Sequence, residues 1–141
     1  MGDIRQIIEV IETKLEGLGY KPTDEVFDFD SVPNSIMDRA FRIETRMIEN
    51  AYYSGRIANP KQEISVYIAY KERRAMRAVW KMAYDEMEVI EKELMTPGLF
   101  AGLVSDPLIW MNNEASTLKY LENYLILRMV FVVDYLRDIS Q

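Results

Sequence analysis

Neither cysteine nor histidine occurs among the 141 residues. Without cysteine the chain forms no disulfide and carries no thiolate nucleophile. Without either residue it lacks the ligands of most zinc sites and the imidazole of a catalytic triad. Carboxylates, lysine and tyrosine can still support catalysis, but the commonest general acid–base is missing, which argues against an enzyme. Basic charge is also short: 17 Lys and Arg stand against 23 Asp and Glu, a net charge of -6. Domains that coat nucleic acid are usually basic, so that role is disfavoured. DNA passing nearby is still compatible with the balance, because acidic walls repel phosphate. No apolar run reaches the roughly 18 residues of a membrane helix. The first residues show no basic segment leading into an apolar stretch, so no secretory signal is expected. The glycines at 17, 19, 55, 98 and 102 never form a GxGxxG or Walker phosphate loop.

What is present is globular composition, with 49% hydrophobic and 28% charged residues. The length suits a single domain with one real core, spanning residues 1–141. Residues 3–18 read as a helix: Ile4, Ile7, Ile8, Ile11, Leu15 and Leu18 recur at helical spacing, Asp3 is placed to cap the start, and Gly19 supplies the stop. Residues 20–34 are turn-rich and acidic, an extended connection with a short strand expected at 25–29. In 40–48, Phe41, Ile43, Thr45 and Met47 alternate with Arg42, Glu44 and Arg46, which predicts a half-buried strand. After a turn region at 50–60, a second alternating run at 63–70 sets Ile64, Val66, Ile68 and Tyr70 inward. Together these predict an antiparallel hairpin with a long loop.

Residues 71–94 predict one long amphipathic helix, ended by Pro97-Gly98. An apolar loop or short helix follows at 99–107, then a third strand at 108–111 turned by Asn112-Asn113. Helix competes for 116–124. The run 124–136 predicts the last strand, with Leu125, Leu127, Met129, Phe131, Val133 and Tyr135 on one face. At a sheet edge, that strand would need pairing across subunits. The expected fold is α+β: two helices on one face of a roughly four-stranded, mainly antiparallel sheet, in the order α-β-β-α-β-β.

The long helix breaks a local rule. Lys71, Arg73, Arg74, Arg77 and Lys81 crowd its first half, and Asp85, Glu86, Glu88, Glu91 and Glu93 its second. This order opposes the helix dipole. Arg73, Arg77 and Lys81 also place like charges at i, i+4. Met76, Val79, Ala83, Met87, Ile90 and Leu94 form the stripe expected on the sheet. Ala75, Ala78, Met82 and Val89 form a second, narrower stripe, covered either by a loop of the same subunit or by a neighbouring one. With the split charges, a neighbour gives a head-to-tail contact in which the basic half of one helix meets the acidic half of the next. Such heterologous contacts close into rings when the rotation allows. A solvated face is the alternative for the basic cluster alone.

The interface residues expected on these grounds are Arg73, Arg74, Arg77, Lys81, Met82, Asp85, Glu88 and Val89, joined by Tyr52, Tyr53 and Arg56 of the hairpin loop. Trp80 borders the apolar helix face and is expected in the core. Asp24, Glu25, Asp28 and Asp30 are read as a solvated acidic loop, because the calcium-loop spacing and its glycine are missing. No catalytic, cofactor-binding or metal-binding residue is expected.

The element order resembles that of the bacteriophage tail terminator family. The likeness is carried by Val32-Pro33 leading into Phe41-Arg42-Ile43, by Ile64-Ser65-Val66-Tyr67-Ile68, by the helix over 76–94, and by the closing strand from Leu125 to Val133. The longer connection at 97–113 departs from the family plan. The resemblance implies a virion protein of the tail or neck, made in the host cytoplasm. It would form a hexameric ring that stops tail-tube polymerisation and joins the tube to a head-side neck protein, with DNA passing through its lumen. It implies no catalysis and no cofactor. Another head–tail joining or head-completion neck protein is the nearest alternative. A small carboxylate-based enzyme and an adaptor binding one protein through residues 52–56 stand further off.

Overall fold

The structure, a computed structural model, describes residues 4–52, 57–71, 76–96, 98–100, 110–121, 123–135 and 137–138. Helix α1 (Ile4–Gly17) is followed by strands β1 (Lys21–Pro22), β2 (Ala40–Tyr52) and β3 (Ile57–Lys71). Helix α2 (Met76–Leu94) precedes β4 (Trp110–Leu121), β5 (Tyr124–Asp134) and β6 (Arg137–Asp138).

The apolar periodicity of α1 buries Ile7, Ile11 and Leu15 completely, each contributing about 2 kcal/mol relative to exposure. Its end is a Schellman motif: Tyr20 N–H donates to Leu15 O at 3.1 Å and Gly19 N–H to Glu16 O at 3.0 Å. Gly19 occupies the left-handed region with φ 96°, which only glycine adopts without strain. The expected stop is borne out there. The expected cap, Asp3, lies outside the described residues.

Five strands lie side by side in the order β1-β2-β3-β5-β4, and β6 pairs with β3 beyond the end of β5. The sheet is mixed, because β1 runs parallel to β2 through Lys21↔Ala40 and Pro22↔Phe41. This corrects the expected four-stranded, mainly antiparallel sheet and its element order. The short strand expected at 25–29 is not formed. The strand here is β1, where Lys21 N–H donates to Arg39 O at 2.9 Å. Arg39 itself has φ 63° and turns the chain into β2.

Three further differences have local causes. The expected turn at 50–60 is largely strand, paired as far as Tyr52↔Ala58; Asn59 and Pro60 looked like turn residues but lie within β3. The expected helix at 71–94 begins later, because Lys71 still pairs with Tyr124 in the sheet. Asn112-Asn113 does not turn the chain but lies inside β4, beside an irregularity between Asn113 and Ala115. Residues 116–121 are strand rather than helix, since pairing to β5 satisfies their backbone.

Both helices pack on one face of the sheet. Ile64, Val66, Ile68, Tyr70, Leu125, Leu127, Met129, Phe131 and Val133 meet the helical stripes in one cluster. The opposite face carries a smaller core, in which Phe27 and Ile36 cover Ala40, Tyr67, Ala69, Tyr124 and Ile126. Arg42 fastens this covering segment: its guanidinium lies 4.4 Å from the Tyr67 ring centroid and its Nε–H donates to Phe27 O at 2.6 Å.

Candidate assembly surface

β5 is not an edge strand: it is central between β3 and β4, consistent with its near-continuous apolar run. The edges are instead β2 and β4. Only Ala40 and Phe41 of β2 pair with β1, so among the described residues the rest of β2 has no outer neighbour. Among the same residues the whole of β4 has none on its outer side either. The β2 end of the hairpin exposes Met47 and Ile48 to 47% and 45%. Exposed edges of this length are templates for pairing with another chain. No local pattern revealed which strands would be edges. The polar composition of β4 (Asn112, Asn113, Glu114, Ser116, Thr117 and Lys119) fits an outer strand.

On α2, Val79, Ala83, Met87, Ile90 and Leu94 face the core as expected. Trp80 corrects the expectation: it is 45% exposed and packs at 4.4 Å between ring centroids on Tyr84, itself 43% exposed. The physical reason is its angular position. One flank of α2 faces α1 and the start of β2, where Arg39 Nη2 donates to Met82 Sδ at 3.8 Å and Lys14 pairs with Glu93 at 2.9 Å. Trp80 and Tyr84 lie on the other flank, outside the buried stripe of Val79, Ala83 and Met87. Ala78 and Val89 of the second stripe are exposed, so no described segment of the subunit buries them.

The acids of α2 divide into two sets. Glu86 turns inward and accepts hydrogen bonds from Arg39 Nη1 and, at 2.9 Å, from the Tyr20 hydroxyl. The Tyr70 hydroxyl lies 3.1 Å from that of Tyr20 and donates to it, since the Tyr20 proton is committed to Glu86. Burial pushes the Tyr70 hydroxyl up to about 12. Burial, helped by the neighbouring Tyr70, raises Tyr20 as well. The Arg39 guanidinium lies 5.9 and 5.7 Å from the two ring centroids. This cluster locks α2 to the sheet, and no sequence spacing disclosed it, because its members come from four separate segments.

The acids of the other set face outward, together with two cations of the same helix. Arg77, Lys81, Asp85, Glu88 and Glu91 are exposed and form no ion pair among the described residues. Arg73, Arg74, Tyr53 and Arg56 lie outside the described residues. Tyr52 ends β2 opposite Ala58.

Elsewhere, the acidic loop stabilises itself. Asp28 Oδ1 accepts the N–H groups of Asp30 at 2.7 Å and Ser31 at 3.1 Å, which holds its carboxyl below the usual range. Among the described residues no group of acids is arranged to hold a metal, and no helix is long and apolar enough to cross a membrane. An open groove of about 600 Å³ runs along α1, lined by Val10, Leu18 and Leu99 with Glu9, Lys14 and Glu93 at its rim. Compared with known proteins, the chain matches no protein-family model and no curated protein.

Proposed function

We propose that this protein is a structural, non-catalytic subunit that assembles with copies of itself into a ring, and that the ring is a phage tail terminator. The observation that carries self-assembly is the pair of sheet edges that no described segment covers. Because β2, β3, β5 and β4 alternate in direction, β2 and β4 run opposite ways. The β4 edge of one copy therefore meets the β2 edge of the next in antiparallel sense, and the same step repeats around a closed ring. The tail terminator reading rests on the resemblance carried by residues 41–43, 64–68, 76–94 and 125–133, which fall in β2, β3, α2 and β5; that resemblance implies six subunits.

In that role the ring would match the end of the tail tube on one side and present a different surface to a head-side neck protein on the other. Growth would end by steric capping. A net charge of -6 suits a lumen through which DNA slides without being held.

The test is addition of the purified protein to polymerising tail-tube protein of the same phage, with tube length read by electron microscopy and ring mass by light scattering. Shortened, capped tubes and a ring of about six copies are expected. Tubes of unchanged length with the protein left unassembled would overturn the proposal.

A further inference from the structure

Arg77, Lys81, Tyr84, Glu88, Glu91 and Met95 recur along α2 and its final turn at alternating spacings of four and three residues, which places them in one stripe. All six are exposed. Read along the stripe, the order is two cations, a tyrosine, two anions and a methionine. That order is self-complementary on reversal. From it we infer that α2 is a docking surface for a second copy of this chain, the two helices lying antiparallel about a two-fold axis at Tyr84.

With the axis at Tyr84, Arg77 stands opposite Glu91 of the second copy, and Lys81 falls within one residue, about 1.5 Å, of the position opposite Glu88 of the second copy. Each pair occurs twice. A parallel arrangement would set cation on cation and anion on anion, so the charges select direction as well as partner. At the centre, Trp80 and Tyr84 already pack on each other and are each nearly half exposed. The two-fold brings four aromatic rings together there, the residue types that anchor interfaces. From Arg77 to Glu91 the paired span runs about 21 Å at 1.5 Å per residue.

The inward acids of the same helix sharpen the argument. Glu86 and Glu93 pair within the subunit, with Arg39 and Lys14. The acids that form no ion pair among the described residues include Glu88 and Glu91, the two that the reversed helix requires. This pairing also explains a charge order that opposes the helix dipole, since each half is neutralised by the other half of a second helix. It is independent of the ring. A two-fold contact closes on itself, and the heterologous contact between sheet edges uses neither Arg77 nor Glu91.

The chain has no cysteine, so Tyr84→Cys introduces a single thiol. Only a two-fold at this position sets residue 84 against itself. Under mild oxidation the full-length variant is expected to form a disulfide-linked dimer quickly, while Glu16→Cys on the exposed side of α1 does not. Two charge variants complete the test, R77E with K81E and E88K with E91K. Each should weaken dimerisation about tenfold or more, as four attractive surface pairs become repulsive. An equal mixture should restore it, because one stripe is then wholly acidic and the other wholly basic. Circular dichroism checks that the variants fold. Overturning results are a Tyr84→Cys variant that crosslinks no faster than the Glu16→Cys control, charge variants that dimerise unchanged, or a mixture that stays apart. A head-to-tail array would assemble without a disulfide between the two thiols at position 84 and would also overturn the two-fold.

Discussion

Tyr20, Tyr70, Arg39 and Glu86 join the helical layer to the sheet through a chain of polar contacts. Half-buried charge of this kind needs every partner, because removing one leaves the others desolvated without compensation. Replacing Tyr20 with Phe takes a donor from Glu86 and should cost about 1 kcal/mol at neutral pH, measured by urea unfolding. The same tyrosines give a pH dependence. Their hydroxyls titrate higher in the folded chain than the value of about 10 expected unfolded, Tyr70 at about 12. The folded state therefore holds protons that the unfolded state has lost. The stability they confer is complete below about pH 10 and disappears as the pH rises toward 12. The urea midpoint should fall across that window, and Tyr70→Phe should flatten the fall. No spacing rule disclosed this cluster. Tyr70 was legible as an inward residue of β3, Tyr20 only as the start of a turn-rich connection, and Glu86 only as one of five acids.

Among the elements, α1 and α2 were the most legible, since an apolar stripe of helical period needs only its own sequence. The α1 terminus can be checked by Gly19→Ala. A side chain there meets no neighbouring atom within 4 Å, so the penalty is backbone strain at φ 96° alone. The expected loss is about 1 kcal/mol, seen as a lower thermal midpoint with the fold retained. Strands were less legible. Alternation in 63–70 and 124–136 identified the inward faces of β3 and β5, and the residues named on them are buried. The same rule gave Tyr67 and Ala69 to an outer face, yet they too are buried, because the segment carrying Phe27 and Ile36 folds back across them. For part of β4, residues 116–121, helix stood as the competing expectation, and the residues are strand. The polar residues of β4 carry no strong period, and its strand conformation is set by pairing to β5.

At the scale of the molecule, the proposed contacts divide by symmetry. The sheet edges give a heterologous contact that propagates, and α2 gives a two-fold that closes. They should therefore separate by mutation. Thr45→Lys with Met47→Lys, both at exposed positions on the β2 edge, places repelling charge where a neighbouring strand would pair. Combined with Tyr84→Cys, this variant should lose the ring while keeping the disulfide-linked dimer, as read by light scattering and non-reducing electrophoresis. Loss of both together would mean that one surface serves both contacts.

The sequence by itself determined the absence of thiol and imidazole chemistry, the two helical stripes, the inward faces of β3 and β5, and the reversed charge order of α2. Each is a property of composition or of neighbours within a few residues. Only the tertiary structure decided that β5 is central and that β2 and β4 are the edges. It alone turned Trp80 out to solvent, covered part of the second face of the sheet, and divided the acids of α2 into Glu86 and Glu93, paired within the subunit, and Glu88 and Glu91, exposed on its surface. These outcomes depend on pairing between segments distant in the chain, and local periodicity carries no information about which distant segment will supply the partner.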